Sequence, residues 1–149
     1  MVFEEIVGSF DIQILFQLLL SVTLGALIGF ERELKRRPAG LRTHMLVCLG
    51  ATIFTIVSLS FDIQPGIVAA GVVTGIGFLG AGSIIAQRGH VRGITSAATL
   101  WVVAGIGLAV GVEEYLISIV GAIMIFATLQ LGRLEKFAGE KGYDDKETL

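Results

Sequence analysis

Charge is scarce in this chain. Asp, Glu, Lys and Arg together make up 16% of its 149 residues, against about a quarter in water-soluble proteins. Apolar residues make up 54% and the mean hydropathy is +0.83. So little polar surface cannot cover an apolar core in water, which excludes an ordinary soluble domain and leaves lipid as the covering medium. Cysteine is nearly missing as well. With Cys48 alone no internal disulfide can form, and its place in an apolar run predicts a small buried packing residue rather than a redox centre. The first eleven residues hold Glu4, Glu5 and Asp11 but no Lys or Arg, the wrong charge for the start of a signal peptide, so the first apolar segment is expected to stay in the mature protein.

Catalytic and metal-binding signatures are missing too. There is no HExxH, CxxC, GxSxG or P-loop, and neither His44 nor His90 has a Cys or His at ligand spacing. An enzyme is not expected, nor a nucleic-acid partner, and no cofactor is implied by the residues themselves. No repeat of ~20 to 50 residues stands out. Gly75-Ile-Gly77-Phe-Leu-Gly80 matches the dinucleotide fingerprint literally, yet it lies inside an apolar run and the residue twenty positions after Gly75 is Thr95. Without a preceding strand and an acidic partner the match carries no nucleotide site.

What the chain does have is long uncharged runs. A helix crossing ~30 Å of hydrocarbon needs ~20 apolar residues, and five segments approach that length, at residues 12–30, 46–61, 67–86, 94–112 and 115–131. Five crossings sort the charges by side. Arg32, Lys35, Arg36, Arg37 and Arg42 follow the first run; Arg88 and Arg92 follow the third; Arg133, Lys136, Lys141 and Lys146 follow the fifth, which completes the 11 basic residues. Glu4, Glu5, Asp11, Asp62, Glu113 and Glu114 fall on the other side. A four-span reading, with one segment re-entrant, scatters the positives over both faces. The expected fold is therefore all-α: a polytopic integral membrane protein with five transmembrane helices, the N-terminus outside and the C-terminus cytoplasmic by the positive-inside rule. Residues 1–11 form an extracytoplasmic segment, 12–133 the transmembrane domain, and 134–149 a polar cytoplasmic tail.

Small and polar residues mark the faces that meet other helices. Gly25–Gly29, Gly71–Gly75 and Gly107–Gly111 are small-xxx-small patterns, and with Gly77, Gly80 and Gly82 they suit close packing inside the chain or in an oligomer. Gln13, Gln17, Ser21, Gly25 and Gly29 form a stripe on the first run, and His44, Cys48, Thr52 and Thr55 a second on the next. Both are expected to face protein. Trp101 falls near the middle of the fourth run, where its indole N–H is expected to seek a protein acceptor.

The densest chemistry joins the first two runs, from Gly29 to His44. A charge at the lip of the hydrocarbon is costly unless paired, so Glu31 is expected to form a salt bridge with Arg42 or Arg32. The hairpin from Gln87 to Ser96 brings a second polar cluster to the same face, in which Thr95 or Ser96 can cap the fourth helix. Glu31, Arg32, Arg42, Thr43, His44, Arg92, Thr95 and Ser96 make up this polar layer. On the opposite face Asp62, Glu113 and Glu114 supply the oxygen donors that a hard divalent cation takes.

Several stretches together resemble the MgtC/SapB family. They are Gly29-Phe30-Glu31-Arg32, Pro38-Ala39-Gly40-Leu41-Arg42-Thr43-His44-Met45-Leu46-Val47, Gly75-Ile-Gly77-Phe78-Leu79-Gly80-Ala81-Gly82, Arg92-Gly93-Ile94-Thr95-Ser96-Ala97-Ala98-Thr99-Leu100-Trp101 and Gly105-Ile-Gly107-Leu-Ala-Val-Gly111. Thr95-Ser96 stands where the family pattern has two threonines. The resemblance implies an inner-membrane protein of a bacterium or archaeon, associated with growth under magnesium limitation and often described as a magnesium transport protein. It also implies regulators that act through other membrane proteins, the ATP synthase among them, and in some members survival inside host cells. Longer members add a soluble ACT-like domain after the last span; this sequence ends before it, so a short form is expected. Two functions follow as expectations. One is a non-enzymatic regulator, homodimeric or otherwise oligomeric, that docks a membrane partner; the alternative is a divalent-cation transporter or channel.

Overall fold

Where ~20 successive residues are apolar, an α-helix is the arrangement that satisfies every backbone N–H and C=O within the segment. The computed structural model, which describes residues 12–61, 64–87 and 90–144, has five such helices. They are α1 (Ile12–Leu34), α2 (Leu41–Ser60), α3 (Pro65–Gly82), α4 (Ile94–Gly111) and α5 (Tyr115–Asp144). Between α3 and α4 lies a short antiparallel ladder, β1 (Ile85–Gln87) and β2 (His90–Arg92), with Ile85 opposite Arg92 and Gln87 opposite His90. The segment 1–11, Asp62, Arg88 and Lys146 lie outside the described residues.

Three helical stretches, Ile12–Leu34, Leu41–Leu59 and Ile94–Gly111, are long and apolar enough to cross a bilayer. Gly66–Gly82 and Tyr115–Leu131 are apolar but shorter. The exterior agrees with a lipid environment: Phe78 is 83% exposed and Leu116 74%, with Phe16, Phe30, Phe54 and Met124 also facing outward. An apolar outside of this extent is what lipid, not water, covers.

α2 is the middle of the bundle, with α1 antiparallel on one side and α4 parallel on the other. Glycine sets both distances. A Cβ added to Gly25 would lie 2.7 Å from the His44 carbonyl oxygen, and one on Gly29 2.8 Å from Leu41 Cα. Across the other interface, a Cβ on Gly107 would run into the Cys48 carbonyl oxygen, and one on Gly111 would come within 2.5 Å of Thr55 Cβ. The core between these helices is Leu24, Ile28, Cys48, Val103, Ile106 and Val110, closed from α5 by Ala122 and Leu129. α3 packs mainly on α4, where Gly80 makes an ordinary 3.5 Å contact with Ala97. Gly71, Gly75, Gly77 and Gly82 have nothing within 4 Å of an added Cβ, so among the described residues these four do not bring helices together.

Four expectations need correction. The third apolar run does not stay helical to residue 86: α3 ends at Gly82 and Ile85–Gln87 is a strand. Hydropathy cannot distinguish a short apolar strand from a helical turn. The last helix does not end with the fifth apolar run at residue 131 but continues to Asp144. Gly132, Gly139 and Gly142 each cost about 1 kcal/mol there, and the helix formers Leu134, Glu135, Lys136 and Ala138 between them favour the helix. Trp101 does not face the bundle; it is 53% exposed, while Leu100, Val103 and Ala104 take the inner face of α4. Neither Thr95 nor Ser96 caps α4. The N-cap is Gly93, at φ 94°, with no side-chain cap bond.

Gly93 is the tightest point of the connection. Its backbone is left-handed, and a Cβ there would overlap the Ser83 carbonyl oxygen at the end of α3. Gly93→Ala is expected to cost at least about 1–2 kcal/mol from the backbone conformation alone. The check is the melting temperature of the purified protein in detergent, with an unchanged value counting against this geometry.

Candidate functional site

One end of the bundle collects the polar side chains. There α1 finishes, α2 and α4 begin, and α5 passes alongside. Glu31 and Arg32 are both buried, at 5% and 3% exposure, and Glu31 Oε2 accepts a 2.5 Å charge-assisted hydrogen bond from Arg32 Nε. The other carboxylate oxygen, Oε1, is paired with the Lys35 ammonium one turn on. Lys35 Nζ also donates to the Leu129 carbonyl at 3.2 Å, tying α1 to α5. Of the two partners expected for Glu31, the structure brings up Arg32; Arg42 is exposed and makes no ion pair among the described residues.

His44 is fully buried. Its Nδ1 lies 2.8 Å from the Gly40 carbonyl oxygen, which can only accept, so Nδ1 carries a hydrogen. Its Nε2 lies 3.1 Å from Thr99 Oγ1, and that hydroxyl lies 2.8 Å from the Ser96 carbonyl. A neutral imidazole must receive the Thr99 hydrogen at Nε2; an imidazolium donates there and leaves the Thr99 hydrogen for Ser96. The orientation of one hydroxyl thus follows the protonation of the histidine. Thr99 was not singled out by sequence reading, although it sits three residues after Ser96, the spacing that places both on one helix face.

Of the remaining members of the polar layer only Ser96 joins this buried group, through its carbonyl. Thr43 and Arg42 are exposed on the first turn of α2, Arg92 is exposed on β2, Thr95 is exposed, and Ser96 is buried. Glu33 supplies what the α2 N-cap Gly40 lacks, its Oε2 accepting the Leu41 N–H at 3.0 Å. It went unrecognised because the cap comes from eight residues back, outside the usual cap position.

Farther along the bundle the two polar stripes meet α4. Gln17 Nε2 donates to the Val110 carbonyl at 3.0 Å and to Gly111 at 3.3 Å, and Thr52 Oγ1 to the Gly107 carbonyl at 2.8 Å. Ser21, Gly25, Gly29, His44, Cys48, Thr52 and Thr55 are all buried, as the stripe pattern predicts, whereas Gln13 is exposed. At this opposite end Glu113, at φ 68°, turns α4 into α5 and borders a cavity of about 290 Å³ with Gln13 and Gln17. Glu114 is exposed. No cluster of three or more acidic, His or Cys side chains suited to a metal occurs among the described residues.

Apolar helices of membrane-crossing length, an apolar exterior and a buried ion-paired end define a helical membrane protein. The MgtC family profile matches residues 18–137, and the chain belongs to this family. It is 46% identical over 112 residues to the protein MgtC of Salmonella typhimurium (strain LT2), covering 74% of this chain and 48% of that protein. The MgtC of Brucella abortus gives the same identity over 74% of this chain and 47% of its own. A protein of Escherichia coli (strain K12) named "Putative magnesium transporter YhiD" is 38% identical over 129 residues, covering 80% of this chain and 60% of that one. The chain thus spans about half to three-fifths of the length of the curated relatives it matches. No solved structure matches the chain significantly.

Proposed function

We propose that this chain is a magnesium-related protein of the plasma membrane of a bacterium or archaeon, and that it regulates other membrane proteins instead of conducting the ion. The observation that carries this reading is the state of Glu31. Among the acids of α1–α4 and of the α4–α5 turn it is the one that is buried, and it is already held by Arg32 and Lys35. The group of one acid and two bases is net positive, which repels a divalent cation at the point where a path through the helices would need to attract one. The magnesium link rests on the name of the YhiD relative.

The proposed topology has five crossings, with the N-terminus outside and the α1–α2 and α3–α4 connections cytoplasmic. The parallel run of α2 and α4 and the antiparallel run of α1 support it, as does the placement of Arg32, Lys35, Arg36, Arg37, Arg42 and Arg92 at one end and of Glu113 and Glu114 at the other. Gly77 and Gly82 of α3, where an added Cβ would meet nothing within 4 Å, suit a second copy or a membrane partner, the ATP synthase being one candidate.

The test is Mg²⁺ uptake into sealed liposomes holding the pure full chain in one orientation, with Glu113→Gln alongside. No saturable uptake above protein-free liposomes is expected. Saturable uptake that Glu113→Gln abolishes would favour the alternative, a divalent-cation transporter or channel using the cavity beside Gln13 and Gln17.

A further inference from the structure

α3 leans on α4 and stands off from α2, and the gap between α2 and α3 is a groove of about 700 Å³. Ala51 and Ile76 are buried at its floor, while Leu46, Phe54 and Leu79 are exposed along its edges, so it opens to the side of the bundle. Its width comes from Gly71 and Gly75, where an added Cβ would meet nothing within 4 Å. From Arg42 to Phe54 it follows α2 for about 12 residues, or roughly 18 Å at the helical rise. One leaflet of a bilayer supplies about half of the ~30 Å hydrocarbon thickness, so the groove is about one leaflet deep.

The two ends differ. At the basic end of the bundle the lining includes Arg42 and the hydroxyl-bearing Thr43; every other lining side chain is apolar or glycine, and no acid is among them. Arg42 has no ion-pair partner among the described residues. A one-leaflet apolar trough with a guanidinium at its membrane-surface mouth complements a single acyl chain carrying an anionic head. A second copy of this chain fits less well. Copies inserted in the same orientation have their basic ends at the same depth, so a partner helix in the groove would set its own cationic end beside Arg42.

We propose that the α2–α3 groove binds one anionic phospholipid of the leaflet at the basic end, its acyl chain lying along Gly71 and Gly75 and its phosphate on Arg42. This site is independent of whether the protein regulates or conducts.

The experiment is native mass spectrometry of the full chain released from bilayers of equal phosphatidylglycerol and phosphatidylcholine. Arg42→Gln, Gly75→Leu and Arg36→Gln are run alongside. Arg36 is an exposed cation at the same end that does not line the groove, and Gly75 has room for the larger side chain. The wild type is expected to retain one phosphatidylglycerol about fivefold over phosphatidylcholine, the effect of one basic side chain at a charged surface. Arg42→Gln should lose that preference, Gly75→Leu should lose the lipid, and Arg36→Gln should match the wild type. Absence of head-group preference in the wild type, retention by Gly75→Leu, or equal loss in Arg36→Gln would overturn the proposal. So would efficient crosslinking between copies through Gly75→Cys, which would assign the groove to a second chain.

Discussion

Glu31→Gln is expected to destabilise the bundle by about 3–5 kcal/mol, the usual result of removing one partner from a buried ion pair. The substitution keeps the shape of the side chain and removes its charge. Arg32, 3% exposed, then keeps a buried guanidinium without its counter-ion. Lys35 is more exposed and can turn its ammonium outward, so most of the loss falls on Arg32. Reversible unfolding in mixed detergent gives the measurement. The double variant Glu31→Gln with Arg32→Gln should recover part of the loss, because the uncompensated charge is gone. A single-variant effect below about 1 kcal/mol would mean that the pair is solvated and does not hold the end of the bundle together.

The second large effect is a contrast of sign between two glycines. Gly107→Ala places a methyl against the Cys48 carbonyl oxygen and Ala51 Cβ, backbone and a short side chain that cannot swing aside. The helices must separate, at about 1–3 kcal/mol for overpacking. The 2.8 Å Thr52–Gly107 hydrogen bond, worth about 1 kcal/mol more, is stretched at the same time. Gly75→Ala meets nothing within 4 Å and should gain up to about 1 kcal/mol of helix propensity. Unfolding of both variants in the same detergent mixture checks the pair. If Gly107→Ala is neutral, α2 and α4 are not in contact there; if Gly75→Ala is strongly destabilising, α3 has a neighbour that the single chain lacks.

The helices were legible because the chemistry of the chain is coarse. Runs without charge must be helical in lipid, and the stripes ending in Gly25 and Gly29 or beginning at His44 already name the face that each helix buries. Glu31 and Arg32 were legible for a similar reason, since charges at the lip of an apolar run must find partners. The selection of Arg32 over Arg42 was not legible, because it depends on how the chain turns after Leu34. Equivalent glycine patterns also proved unequal: Gly107–Gly111 seats a neighbour while Gly71–Gly75 faces open space. Sequence spacing records that a close approach is permitted, not that a helix has come. Ile85–Gln87 was missed because a segment of three residues is too short for any period to reveal a strand. Thr99 and Glu33 act through partners that are distant in sequence or outside usual cap spacing, so no local pattern points to them.

The bonds from Gln17 to the end of α4 also bear on how the protein is made. The partner carbonyl of Val110 lies 93 residues farther along the chain. At ribosomal speeds of about 5–20 residues per second, it is synthesised roughly 5–20 s after Gln17. Once α2 is made, the Thr52 hydroxyl can already bond the Cys48 carbonyl of its own helix at 3.1 Å, whereas the acceptors of the Gln17 amide come only with α4. The first two helices are therefore made before the acceptors of Gln17 exist, and α4 supplies the last bonds of α1.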